Sequence, residues 1–271
     1  MNNFSKRALT GTAFVIALLS AILIHPYLYI TLFALVTLMG LHEFYSLAKK
    51  DNSQPAKIWS ITAGLYLFIS CALYSSGTAG PEICWLNIPV IFSLFIIELY
   101  RKKERPFTNV AYSVLGILYV AVPFALINFI VFSARGVYSP HILLGIFFIL
   151  WASDTGAYLS GMTFGKHKLF ERISPKKTWE GSIGGTIICI LTAYIISDYF
   201  TELKSGSWMV VAVITAIAGT LGDLAESLFK RSINVKDSGT ILPGHGGVLD
   251  RFDGLLVAAP FIFAYLHFFG H

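Results

Sequence analysis

Apolar residues fill long stretches of this chain from one end to the other, separated by short polar connections. Stretches of about 17–25 apolar residues match the length of helix needed to cross roughly 30 Å of hydrocarbon. Nine spans are predicted: Ala8–Ile24, Tyr27–Leu47, Lys57–Ser76, Trp85–Tyr100, Val110–Phe132, His141–Phe164, Gly181–Tyr199, Trp208–Leu221 and Gly254–Phe269, the eighth of them short. The expected fold is all-α: a polytopic integral membrane protein with about nine transmembrane helices. With no soluble extension, repeat or low-complexity segment in the pattern, residues 1–271 read as one membrane domain.

Composition agrees with that pattern. Of 271 residues, 55% are hydrophobic and only 13% charged, a balance a water-soluble domain would struggle to keep in solution. The net charge of +5 would suit a nucleic-acid binder, but its distribution argues for membrane topology instead. Basic residues alternate by connection: Lys6 and Arg7 precede the first span, Lys49, Lys50 and Lys57 surround the second connection, and Arg101, Lys102, Lys103 and Arg105 follow span four. Lys166, Lys168, Arg172, Lys176 and Lys177 follow span six, and Lys230, Arg231, Lys236 and Arg251 follow span eight, whereas the opposite connections hold only Arg135 and Lys204. Nine spans therefore place the N-terminus in the cytosol and the C-terminus outside; eight or ten break the alternation. The apolar run after Lys6 and Arg7 lacks a convincing small-residue cleavage site, so an uncleaved first span is favoured over a signal peptide. Cys71, Cys84 and Cys189 lie scattered in or beside apolar spans without CxxC spacing and read as small buried hydrophobes.

A charge near the bilayer centre costs at least about 2.5–3.5 kcal/mol on insertion scales, so chemistry is expected where polar groups persist despite that cost. In the first five spans His42, Glu43 and Glu98 are the clearest, and near predicted cytosolic ends they read as snorkelling or capping groups. The stretch from about 150 to 255 is different. Asp154 sits well inside span six with Tyr158 one turn later on the same face, which should look into a polar cavity. The competing reading is a structural Asp bonded to hydroxyls across helices. After span six, Ser174-Pro-Lys-Lys-Thr178 gathers Ser174, Lys176, Lys177 and Thr178 as a polyphosphate contact would require, against the alternative of a solvated basic loop.

If the eighth helix continues past Leu221, Asp223, Glu226 or Ser227, and Lys230 fall on one stripe. The plainer alternative is that acid and base on that stripe simply pair. The sequel adds more: Asn234-Val-Lys-Asp-Ser-Gly239, a Gly-His-Gly-Gly turn around His245, Gly246 and Gly247, and Asp250-Arg-Phe-Asp253. Such a glycine turn lets backbone N–H groups approach an anion, although alone it is a weak signal. Asp250 and Asp253 can also be an N-cap and first-turn acid of the last span. Hard cations such as Mg²⁺ are held by one or two carboxylates plus substrate phosphates, which makes Asp223 and Asp250 candidate ligands.

The stretch Ser227 to Asp253 resembles the phosphatidate cytidylyltransferase (CDP-diacylglycerol synthase) family, whose signature is matched at Ser227, Lys230, Arg231, Lys236, Asp237, Gly239, Pro243, His245, Gly246, Gly247, Asp250, Arg251 and Asp253. Asp154-Thr-Gly-Ala-Tyr158 and Ser174–Gly181 resemble it too, while the N-terminal half is similar mainly in its hydrophobic spans. The resemblance implies transfer of CMP from CTP to phosphatidic acid by a multi-pass enzyme of the inner membrane, a homodimer with its active site at the cytoplasmic face and no nucleic-acid partner. It further implies Mg²⁺ on Asp223 and Asp250, and leaves a second cation open. Lys176, Lys177, Lys230, Arg231 and Lys236 would then neutralise phosphates, and His245 with its flanking glycines would position one. Two rivals remain: the same transfer onto an isoprenoid ether lipid, and a transporter or channel, for which no inverted repeat is visible.

Overall fold

A computed structural model of the chain describes residues 3–132, 136–239 and 246–270, with side chains from residue 10 onward. His245 and Pro243 of the signature lie outside the described residues, as do Arg135, His271 and the side chains of Lys6 and Arg7. The fold is all-α apart from one small hairpin among the described residues. Among the described residues, eight helical runs are long and apolar enough to cross a membrane: Pro26–Asp51, Lys57–Ser75, Glu82–Arg101, Pro106–Val131, Pro140–Phe164, Trp179–Ser197, Ser205–Ser232 and Leu249–Phe269. The first expected span falls on a helix too, apolar over the shorter stretch Thr10–Ile24.

The helices form two compact units interleaved along the sequence: residues 1–138 with 233–251, and residues 139–232 with 252–271. The first unit contains α1 (Asn3–Ile24), α2 (Pro26–Ala48), α3 (Lys57–Ser75), the short α4 (Glu82–Trp85), α5 (Asn87–Arg101), α6 (Pro106–Gly116) and α7 (Val122–Val131). Prolines open several of these helices where their missing N–H costs nothing, Pro26 in α2 and Pro106 in α6 among them. One π turn, Ile117–Ala121, joins α6 to α7. Asn52, Lys102 and Arg105 take left-handed backbone conformations in the connections between helices. Several buried polar groups inside the unit are satisfied internally, as a lipid solvent demands. Tyr29 Oη donates to Asn128 Oδ1 at 3.2 Å, Tyr45 Oη to the Ser113 carbonyl at 2.7 Å and Tyr138 Oη to the Ile22 carbonyl at 2.6 Å.

The second unit contains α8 (Pro140–Phe164), strands β1 (Lys168–Phe170) and β2 (Ser174–Thr178), α9 (Trp179–Ser197), α10 (Ser205–Ser232) and, from Phe252 on, the last helix α11 (Leu249–Phe269). Gly181 and Gly185, four residues apart on one face of α9, bring that helix close to α8. A Cβ on Gly185 would lie 2.9 Å from the Ser153 carbonyl oxygen, and one on Gly181 2.8 Å from that of Ala157. Backbone that close leaves room only for hydrogen, the packing that small residues permit in lipid. The opposite face of α9 points Ile183, Ile187, Leu191 and Tyr194 outward, an apolar surface suited to acyl chains.

Candidate active site

The connection after α8 is a hairpin rather than an open loop. β1 and β2 pair antiparallel, and Trp179 N donates to the His167 carbonyl at 3.0 Å. Glu180, in the first turn of α9, accepts from the Lys166 and His167 amides at 3.1–3.2 Å and from the His167 ring Nδ1 at 2.6 Å. Thr178 is buried and its Oγ1 caps α9 by accepting from Gly181 N at 3.1 Å. Of the hairpin's expected contact residues, Thr178 thus has a structural task, Ser174 is half-buried, and Lys176 is exposed.

Lys177 is carried from this hairpin to α10. Its Nζ lies 2.5 Å from Asp223 Oδ2 and donates to the Thr220 carbonyl at 3.4 Å. The other carboxylate oxygen of Asp223 accepts from Ser227 Oγ at 3.3 Å. α10 runs unbroken past Leu221 to Ser232, so the expected polar stripe forms, but its pairing differs from a simple Asp223 to Lys230 bridge. Lys230 instead pairs with Glu226 at 3.0 Å, and the two side chains are among the most buried charges in the unit, at 9% and 1% residue exposure. Removing one partner of such a pair strands the other charge in apolar surroundings. Arg231 is exposed.

Two further carboxylates share the field of Asp223. Asp253, in the first turns of α11, interacts electrostatically with Asp223, Asp154 and Lys230. Asp154 and Tyr158 both lie on an exposed face of α8, so the face expected to look into a cavity is open. α10 and α11 approach closely here, a Cβ on Gly222 falling 2.5 Å from the Asp253 carbonyl oxygen.

In the first unit, the signature segment after α10 is tied by two carboxylates. Lys236 and Asp237 are exposed, and Ser238 turns inward. Asp250 Oδ2 accepts from Ser238 N at 3.0 Å, Ser238 Oγ at 2.9 Å and Gly247 N at 2.8 Å. It therefore closes the two flanks of the glycine turn onto the start of α11, and Gly246 takes the positive φ of 81° that this closure needs. Arg251 is exposed beside it.

The second carboxylate is Glu43 of α2, at 4% exposure. Its Oε1 accepts from Val248 N at 2.9 Å, and its Oε2 from Leu249 N at 3.0 Å and Ser238 Oγ at 3.2 Å. These are orphan amides at the start of α11, and an acid there also meets the positive end of the helix. Glu43 was expected to reach the interface; it is buried because it has these donors to satisfy. Glu98 likewise is buried against Arg101 at 2.5 Å and Asn109 at 2.7 Å, while His42 is exposed as a boundary residue should be. The only sequence signal for Glu43 is a carboxylate set directly before Phe44 and Tyr45 in an apolar run.

The long apolar helices mark a multi-pass membrane protein that carries a basic hairpin and carboxylates at its helix ends. The profile of the Cytidylyltransferase family matches residues 5–269, and the chain belongs to that family, making it a nucleotidyltransferase. It is 32% identical over 290 aligned positions to a phosphatidate cytidylyltransferase of Haemophilus influenzae, covering 97% of this chain and 98% of that protein. Phosphatidate cytidylyltransferases of Staphylococcus haemolyticus and Staphylococcus aureus are 41% and 40% identical over 177 and 190 positions, covering 65% and 68% of this chain and 66% and 71% of those proteins.

Proposed function

We propose that this chain transfers CMP from CTP to phosphatidic acid, yielding CDP-diacylglycerol and pyrophosphate at the cytoplasmic face of the inner membrane. The observation that carries the reading is the similarity to the Haemophilus influenzae protein along nearly the whole of both chains, with the Ser227 to Asp253 signature complete. The phosphate monoester of phosphatidic acid has a second pKa near about 6 and is largely dianionic at neutral pH, so it needs no strong general base. One of its oxygens forms a bond to the α-phosphorus of CTP as the bond from that phosphorus to the bridging oxygen breaks. Pyrophosphate leaves with the electron pair, and no enzyme-bound covalent intermediate is formed.

The residues serve by charge and position. Lys176, Arg231 and Lys236 are exposed and suited to phosphate oxygens, and Lys177 and Lys230 are oriented by their ion pairs with Asp223 and Glu226. Asp250 and Glu43 hold the segment that carries the glycine turn. Mg²⁺ fits the donor chemistry: carboxylate oxygens are hard ligands, and Asp154, Asp223 and Asp253 concentrate negative charge that a divalent cation offsets. Among the described residues no three acidic, His or Cys groups are close enough to hold a metal by themselves, so substrate phosphates would have to complete the ligand set. We assign Asp223 and Asp250 to the ion, which when bound supplies charge neutralisation at the triphosphate. The test is pyrophosphate release by the purified protein given CTP, Mg²⁺ and phosphatidic acid. Release that needs both substrates and is abolished by chelation supports the proposal, and release without the lipid rejects it. Homodimer formation belongs to the same proposal and is checked by size-exclusion with light scattering.

A further inference from the structure

The first unit contains an open cleft of about 1070 Å³ where α2 and α5 end and α3 begins, lined by Lys49, Ser53, Lys57, Trp59, Arg101 and Lys103 among others. None of these residues belongs to the signature, and of those named Arg101 alone forms an ion pair among the described residues, with Glu98. Four of the lining residues are basic, and Glu104 is the acidic one.

The floor of the cleft is built rather than loose. Between α2 and α3, Ser53 Oγ donates to the Ala48 carbonyl at 2.6 Å, Gln54 N to Asn109 Oδ1 at 2.7 Å and Ala56 N to Ser113 Oγ at 3.1 Å. Arg101 donates to the Gln54 carbonyl at 2.8 Å from the other side. Of the nearby carboxylates, Glu98 is engaged by Arg101 and Asn109 and Asp51 by the Tyr112 hydroxyl at 2.6 Å, so Glu104 is the one acid on the lining set against its four basic residues. Among the described residues Lys49 and Lys103 form no ion pair, and Lys57 Nζ donates to a hydroxyl, Ser46 Oγ, at 2.8 Å. Lys49 and Lys57 are close enough to repel each other. The cleft therefore holds positive charge in a fixed frame that an anion would relieve.

The rim identifies the anion. Trp59 and Ile58, in the first turn of α3, are 57% and 78% exposed, and Leu99 and Tyr100 at the end of α5 are 77% and 81% exposed. Tryptophan and tyrosine at the ends of membrane helices mark the headgroup level, and basic pockets at that level attract anionic lipids. We infer that this cleft binds the headgroup of an anionic phospholipid, separately from the transfer site. Its phosphate lies among Lys49, Lys57 and Lys103, and its acyl chains run past Ile58 and Trp59.

The full-length protein is reconstituted in phosphatidylcholine with a few per cent phosphatidylglycerol, and the lipid retained through detergent extraction is quantified by native mass spectrometry. Lys49 and Lys103 are surface groups outside any ion pair, so the double variant K49Q/K103Q should stay folded, checked by its thermal unfolding. Phosphatidylglycerol retention should fall about thirtyfold in it, by roughly the loss of two headgroup-level cations, and persist in K49R/K103R. Millimolar glycerol 3-phosphate, the headgroup chemistry without acyl chains, should not displace the lipid. Equal retention in K49Q/K103Q overturns the inference, as does a loss matched in K49R/K103R. Displacement by glycerol 3-phosphate would assign the cleft to a soluble phosphate and overturn the lipid assignment.

Discussion

Glu43 satisfies two helix-start amides and one hydroxyl with a single buried carboxylate, so its replacement tests how much the start of α11 depends on α2. Glu43→Gln keeps the shape but sets an amide NH₂ against a backbone N–H, and charged acceptors contribute about 1.5–3 kcal/mol each. We expect a loss of about 2–3 kcal/mol in stability, read by thermal unfolding, with turnover reduced because the segment carrying Asp250 loosens. An unchanged melting curve would show that the clasp contributes nothing. Asp223→Asn and Asp250→Asn are the corresponding test of the metal assignment. If both bind one ion, each abolishes most Mg²⁺-dependent turnover, and the double variant is hardly worse than either single one, because members of one unit are non-additive. Were Asp250 only the closure of the glycine turn, Asp250→Asn would cost about 2–3 kcal/mol of stability, as at Glu43, and leave turnover at saturating Mg²⁺ largely intact. The signature residues were legible because their spacing is local, within one stretch of chain. Glu43 was not, since its partners lie 205 residues away and no short-range spacing records them.

Among the elements, helix positions were read closely because length and apolarity in lipid leave few alternatives to a helix. Each of the nine expected spans coincides with helix, and the one called short, Trp208–Leu221, belongs to the 28-residue α10. Its polar stripe from Asp223 to Lys230 masked the continuation: hydropathy falls where Glu226 and Lys230 are buried as a pair. The hairpin of β1 and β2 was hidden for a related reason, since Lys-rich connections carry no alternation to betray three- and five-residue strands. The glycine contact of α9 gives a prediction at this scale. Gly185→Leu must displace backbone, because even a Cβ would meet the Ser153 carbonyl at 2.9 Å and the Ala157 Cβ at 3.1 Å. Folded yield and unfolding temperature should both drop. Gly206→Ala in α10 is the control, with nothing within 4 Å of the added Cβ, and should leave both unchanged. Equal behaviour of the two variants would mean that α8 and α9 do not depend on this approach.

For the whole molecule, the decisive quantity is the side of the membrane on which each connection lies. The basic connections after α5, α8 and α10 are separated by even numbers of expected spans, and positive charge is retained on the cytosolic side. Lys204, between α9 and α10, falls on the opposite side by the same count. The prediction is read with single cysteines at Lys103, Lys168, Lys236 and Lys204, in a background where Cys71, Cys84 and Cys189 are replaced by Ala or Ser. Cys71 and Cys189 are buried, so their removal only deletes small interior groups. An impermeant thiol reagent applied to intact cells should label position 204 alone, and positions 103, 168 and 236 only after the membrane is opened. External labelling at 168 or 236 would place the hairpin or the signature segment away from cytosolic CTP, overturning both the nine-span topology and the proposed cytoplasmic transfer site. Labelling at 103 from outside, with 168 and 236 protected, would instead confine the error to the first five spans and leave the transfer site where its substrates are.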